Sequence, residues 1–278
     1  MAAKEETIEN YSGLKLFVRS WQPAGAPRAV VAICPGFNSH SGYYLWVAEQ
    51  LAADGYAVYA IDLRGRGKSE GERSYVDRVG EYEDDLAELI RLAKSRQPGL
   101  PVFLLGHSAG GVISCIYTLD YQSELAGLIC ESFAFQVPAP DFALSVLKGL
   151  AHIAPHAHVL TLKNEDFSRD PNVVAAMNAD PLIKDESQPS QTVAALVHAD
   201  ERLKAEFGKI TLPVLILHGT ADKATRPEGS QFFHDQAGSK DKTLKFYQDA
   251  YHDLLNDIIR DQVMADIKAW IAARLPAR

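Results

Sequence analysis

Cysteine is scarce in this chain: Cys34, Cys115 and Cys130 are its three in 278 residues, widely spaced and each in apolar surroundings. That pattern is neither a disulfide framework nor a zinc site, and it fits a reduced cytoplasm. Basic charge is also in deficit, with 28 Lys and Arg against 36 Asp and Glu, a formal net charge of −8. A phosphate backbone calls for a basic face, so no nucleic acid is expected as the main partner. No run of about 18 uncharged apolar residues exists, so no transmembrane helix is expected. The opening MAAKEETIEN lacks the basic-then-apolar order of a signal peptide. There is no H-E-x-x-H and no cysteine cluster, so neither a metal nor a cofactor is expected. Internal repeats, low-complexity tracts and linkers are missing too.

What is there is ordinary globular material, 47% hydrophobic and 23% charged, enough to bury a real core. The length alone allows one large domain or two small ones. Residues 14–21 alternate after a turn at Ser12-Gly13 and read as a strand of an opening hairpin. Short apolar runs follow: AVVAIC (29–34), YAVYAID (56–62), VFLLG (102–106), AGLIC (126–130), VLILHG (214–219) and LKFYQ (244–248). Nearly continuous runs of this kind are expected of strands covered on both faces of a parallel sheet. Helical patterns separate them, at Tyr44 to Ala53, Val79 to Lys94, Ala109 to Leu119 and Leu254 to Ile271. Alternating strand and helix predicts an α/β fold with right-handed crossovers.

One stretch breaks the alternation. From about Phe135 to Leu203 there is no convincing strand, six prolines (Pro138, Pro140, Pro155, Pro171, Pro181 and Pro189) and several short amphipathic pieces. Phe142, Val146, Leu147 and Leu150 share roughly one face of such a piece. A helical insertion is expected here, and long inserts of this kind are often lids.

The sharpest chemical signal is Gly106-His107-Ser108-Ala109-Gly110. A G-x-S-x-G alone is weak. Here it directly follows a strand run and directly precedes a helical one, the setting of a nucleophile elbow. The glycines leave room for a tight turn, and the helix N-terminus behind it offers free N–H groups. The competing reading is a glycine-rich turn that only packs. Serine is a poor nucleophile at neutral pH and needs a base. In such an elbow architecture the partners follow as acid, then histidine, from loops after later strands. Asp222 lies just past VLILHG, and His252 just past LKFYQ. The oxyanion donors expected are the backbone N–H groups of Ala109 and of Phe37, in the loop after AVVAICPG.

The competitors are weaker. His218 ends its strand, where a packing or turn role is expected. His107 should point away from the nucleophile. His40, His152, His156, His158, His198 and His234 read as solvated or insert residues. Glu131 is an alternative acid, and Asp249 and Asp253 read as surface or capping groups. Gly65-Arg66-Gly67 lacks the third glycine of a dinucleotide fingerprint and reads as a structural turn.

The chain resembles the α/β-hydrolases, more narrowly the monoacylglycerol lipase and lysophospholipase-like serine hydrolases, over nearly its whole length. Asp62-Leu63-Arg64-Gly65-Arg66-Gly67-Lys68-Ser69, Gly106 to Gly111, His218-Gly219-Thr220-Ala221-Asp222 and Ala250 to Asp257 carry the resemblance. In the insert, Ser168-Arg169-Asp170-Pro171 and Ala179-Asp180-Pro181-Leu182 are similar to the family's cap. The chain departs from the family at Pro35, at Phe37-Asn38-Ser39, at Arg66 in place of histidine, and at Ala109 in place of a frequent methionine.

The resemblance implies a serine carboxylic-ester hydrolase of monoacylglycerol- or lysophospholipid-like esters working through an acyl-enzyme. Other α/β-hydrolase reactions, C–C hydrolysis or perhydrolysis, stay open, as does a non-catalytic ligand-binding protein. A serine at position 108 disfavours dehalogenase and epoxide chemistry. Ser108 precedes the strand-poor stretch while Asp222 and His252 follow it, so one sheet must close over both sides. The expectation is one α/β-hydrolase core, residues 1–134 and 204–278, with a mostly parallel central sheet, flanking helices and a helical lid at 135–203. The lid's apolar face would line the acyl pocket and touch a lipid surface transiently, or simply pack on the core. Oligomeric state is not legible.

Overall fold

A computed structural model describes residues 3–136 and 141–276. In chain order come β1 (Lys4–Glu9), β2 (Lys15–Trp21), β3 (Ala29–Cys34), α1 (Leu45–Ala53), β4 (Tyr56–Ile61), α2 (Val79–Arg96), β5 (Val102–His107), α3 (Ala109–Tyr121) and β6 (Gly127–Glu131). The insert then supplies α4 (Asp141–Ile153), β7 (His158–Leu160), α5 (Pro171–Ala179), β8 (Gln188–Pro189) and the start of α6 (Ser190–Glu206). The chain ends with β9 (Val214–Gly219), α7 (Pro227–Gln236), β10 (Lys242–Tyr247) and α8 (Arg260–Ala272).

Eight strands form one sheet in the order β1-β2-β4-β3-β5-β6-β9-β10. From β4 to β10 every pairing is parallel, and only β1–β2 and β2–β4 are antiparallel. Strands β3, β4, β5, β6 and β9 are buried at every residue. Their apolar runs need cover on both faces, and the helices supply it. Leu86, Leu89 and Ile90 of α2, Val112 and Ile113 of α3, and Phe233 of α7 close one face. Val47 and Leu51 of α1 with Val263 and Ile267 of α8 close the other. The mostly parallel sheet with flanking helices is the α/β-hydrolase fold. Among the described residues no helix is long and apolar enough to cross a membrane.

Three expectations need correcting. Strand β10 is not covered on both faces. It is the sheet edge, with only Tyr247 fully buried. The insert does contain strands, β7 and β8, paired antiparallel. They are too short to show an apolar alternation. The helix expected over Leu254 to Ile271 is broken. Leu254–Asn256 forms a separate 3-10 turn, and α8 begins at Arg260. Asp253 caps that turn by accepting from Asn256 N at 3.2 Å, and Asp257 is extended so that its carboxylate can meet Arg169 at 2.5 Å. Helix α7, with Pro227 at its first turn, adds an element that the apolar pattern does not predict.

Of the apolar face expected on α4, the side chains of Phe142 and Leu147 lie outside the described residues, as do Pro138 and Pro140. Val146 is 65% exposed. Helix α6 leaves the insert and packs Ala195, Ala199 and Leu203 into the same cluster as α2 and α3.

Candidate active site

Strand β5 ends at His107, and α3 starts at Ala109. Ser108 makes the whole turn between them. Its φ of 54° and ψ of −121° lie in a region that L-residues rarely adopt. Packing holds it there. Ser108 N–H donates to Glu131 O at 2.9 Å, and Gly111 N–H donates back to Ser108 O at 2.9 Å.

The loop after β3 runs directly against this elbow. A Cβ on Gly36 would stand 2.9 Å from Ser108 Cβ and 2.9 Å from His107 O, so only glycine fits. This close approach brings Phe37, itself 4% exposed, beside the nucleophile. Ala109 occupies the first position of α3, where a helix has no partner of its own for the N–H.

Asp222 and His252 come from the ends of the two strands beyond β6. His252 Nδ1 lies 2.7 Å from Asp222 Oδ2, both side chains fully buried. Asp222 Oδ1 accepts from Ala224 N at 2.8 Å and Thr225 N at 3.0 Å, and Oδ2 also accepts from Thr225 Oγ1 at 2.7 Å. Burial works to raise this carboxyl. The charges and hydrogen bonds of His252 and His218 overcome it and hold Asp222 well below the usual carboxylate range.

An imidazole whose Nδ1–H is committed to a carboxylate presents Nε2 as a base. His252 Nε2 is buried and makes no hydrogen bond, so the bond to Ser108 Oγ is not formed in this geometry. Catalytic hydrogen bonds are often loose before substrate arrives.

Two contacts fix the ring. His107 packs on it with centroids 4.9 Å apart, and Phe167 of the insert meets it edge-on at 5.0 Å. Asp253 N–H then donates to Phe167 O at 2.7 Å.

Several expected bystanders are not bystanders. His107 does not point out of the site; it lies fully buried under His252. Burial, with the neighbouring His252, holds its imidazole well below its ordinary value, hence neutral. His40 is not solvated. Its Nε2 meets Asp180 of the insert at 2.9 Å. Asp253 caps its turn as expected but is buried rather than on the surface.

Glu131, the alternative acid, faces His107 Nε2 at 3.9 Å, while Asp222 holds His252. Burial and the nearby Asp253 push the Glu131 carboxyl well up. His218 is more than a packing residue, for its Nε2 lies 3.0 Å from Asp222 Oδ2 and its Nδ1 lies 2.7 Å from Ser230 Oγ. The four-residue separation across Gly219 was the available signal: a tight turn there brings position 222 back to position 218.

Among the described residues, His107, Glu131 and Asp253 form a group spaced as metal ligands, with donor atoms within 4.8 Å. Their lone pairs are already partly used. Leu254 N donates to Glu131 Oε1 at 2.6 Å, and Asn256 Nδ2 to Asp253 Oδ2 at 2.9 Å.

A strand-end serine, a buried carboxylate–imidazole pair and a loop pressed against the serine together suit nucleophilic acyl transfer. Known proteins similar to this chain are hydrolases. The family described as serine aminopeptidase, S33 (Hydrolase_4), matches residues 25–259. The monoacylglycerol lipase of Mycolicibacterium smegmatis is 33% identical, over 98% of each chain. The human monoglyceride lipase is also 33% identical, over 96% of this chain and 90% of that one. The crystal structure of the Paleococcus ferrophilus monoacylglycerol lipase superposes with a TM-score of 0.84 at 30% identity, covering 93% of this chain and 99% of that one. The chain belongs to this Hydrolase_4 family and is an α/β-hydrolase-fold serine hydrolase of the esterase and lipase kind.

Proposed function

We propose that the chain hydrolyses carboxylic esters of the monoacylglycerol or lysophospholipid type through an acyl-enzyme on Ser108. His252 takes the proton from Ser108 Oγ as the oxygen attacks the ester carbonyl. Asp222 orients the imidazole and stabilises its charged form. The N–H groups of Phe37 and Ala109 hold the tetrahedral oxyanion. His252 then gives the proton to the departing alcohol, and water activated by the same nitrogen releases the acid.

The observation that supports this reading is Ser108 held at φ 54° next in sequence to His107, whose ring packs 4.9 Å from the ring of His252 in the buried His252–Asp222 pair. The full-length likeness to lipases of monoacylglycerols supports the substrate class.

In this reading residues 135–203 are a lid over a core of 1–134 and 204–278. Val146 and Ile153, 65% and 85% exposed on α4, would meet a lipid surface transiently. Three free, buried cysteines suit a reduced cytoplasm.

The test is Ser108→Ala, assayed on p-nitrophenyl esters from short to long chain and on monoacylglycerols, with fluorophosphonate labelling in parallel. Hydrolysis and labelling should both vanish while circular dichroism stays unchanged. Retained turnover would refute the assignment.

A further inference from the structure

Arg66 and Glu186 are oppositely charged, with side chains each 1% exposed, and they meet at 2.5 Å. Arg66 belongs to the loop after β4, and Glu186 to the insert. Burying two charges is costly unless every lone pair and proton is used, and most are used here. The Arg66 guanidinium donates from Nε to Tyr82 Oη at 3.1 Å and from Nη2 to Gln188 Oε1 at 2.7 Å. Glu186 Oε1 accepts from Arg66 Nη1, from Gln188 Nε2 at 3.0 Å and from the backbone N–H of Asn38 at 2.9 Å. Glu186 Oε2 makes no hydrogen bond; half-exposed Arg73 stands 4.0 Å from it.

The pair ends on the oxyanion loop from two directions. The guanidinium carbon sits 3.7 Å above the centre of the Phe37 ring, and the carboxylate holds the next residue's N–H. Asn38 is itself in the left-handed region at φ 50°. Its side chain donates to Asn164 Oδ1 of the insert at 3.1 Å. A loop with an unfavourable φ keeps its shape only while its surroundings over-determine it. The charge matters as well. A bare carboxylate at Asn38 N would repel the negative oxygen that develops beside Phe37 N, and the arginine cancels it.

We propose that Arg66 and Glu186 are positioning residues: a charge-neutral clasp through which the insert holds the Phe37–Asn38 loop in its reacting geometry. The proposal rests on the acyl-enzyme reading of Ser108. Neither side chain touches the reacting atoms. Both act through the loop backbone, so their removal should lower the rate of acylation and leave ground-state binding largely intact.

The experiment is a double-mutant cycle of Arg66→Gln and Glu186→Gln in the full chain. It is read as kcat and KM on a soluble p-nitrophenyl ester, with the rate of fluorophosphonate labelling and Tm alongside. Misplaced oxyanion donors cost on the order of 10²-fold. Arg66→Gln, which strands the carboxylate, should therefore lose roughly 30- to 100-fold in kcat, with KM within about threefold. Glu186→Gln keeps an acceptor for Asn38 N and should lose roughly tenfold. The double variant should regain most of the activity that Arg66→Gln lost, because no unpaired charge is left.

Losses that simply multiply in the double variant overturn the proposal. So does a change in KM with kcat untouched. Glu186→Gln decides alone if Arg66→Gln does not fold: unchanged kcat and labelling rate refute the clasp. Failure of the underlying reading looks different, because the unsubstituted chain would then not be labelled at Ser108 at all.

Discussion

His218 Nε2 lies 3.0 Å from Asp222 Oδ2, the same oxygen that His252 Nδ1 reaches at 2.7 Å. One carboxylate oxygen therefore serves two buried imidazoles. The second draws negative charge away from the first, which weakens the field that stabilises protonated His252. His218→Leu should therefore be mild, with kcat/KM within about tenfold of the parent, whereas Asp222→Asn, which removes the charge that orients His252, should lose about 10⁴-fold in kcat. Steady-state hydrolysis of a short-chain ester by both variants checks this, and equal losses refute it.

The loop against the elbow gives a sharper steric prediction. Gly36→Ala would put a methyl group 2.9 Å from Ser108 Cβ and His107 O, both held by the sheet. The loop must yield, and Phe37 N–H moves with it. Losing one oxyanion donor costs about 10²–10³ in rate. A kcat loss in that range is expected with KM nearly constant, measured by steady-state hydrolysis of a short-chain ester. A KM effect alone would mean that the loop binds substrate and does not stabilise the oxyanion.

Stability should respond to pH in two opposite ways. Asp222 is held low in the fold, so its contribution is complete above its unfolded value, about 4, and is lost as pH falls. Asp253 behaves the reverse way. Burial pushes its carboxyl up to about 6, against hydrogen bonds from Asn256. A raised carboxyl contributes fully below the unfolded value and loses that contribution as pH rises through the folded one. Between about pH 4 and 6 Asp253 should therefore lower the unfolding free energy with rising pH. Asp253→Asn should flatten that slope in urea titrations; an unchanged slope would show that Asp253 is not its source.

Much of this was readable from residue order. The strands were plain because parallel strands covered on both faces need continuous apolar runs, as in AVVAIC and VFLLG. Ser108, Asp222 and His252 could be singled out because each immediately follows such a run. Edges and breaks were not readable. Strand β10 carries Lys242 and Lys245 where its neighbour β9 reads VLILHG, but its place at the sheet margin is a fact of topology. The break at Asp257 depends on Arg169, 88 residues away. The Arg66–Glu186 pair spans 120 residues: Arg66 reads in sequence as part of a turn, and nothing local marks Glu186 as its partner. Long-range charge pairing leaves no local periodicity, so only the folded chain discloses it.

The conformation of Ser108 has a thermodynamic consequence. A non-glycine residue at φ 54° costs of order 1–3 kcal/mol relative to a relaxed one. Glycine at that position would escape most of the cost and give back part as chain entropy. Ser108→Gly should thus melt higher than the parent, by roughly 2–4 °C for each kcal/mol recovered, while hydrolysing nothing. A search for heat resistance that ignores activity would drift toward the dead protein at this residue. Thermostable variants of this chain should therefore be selected on turnover, with melting temperature as the second criterion.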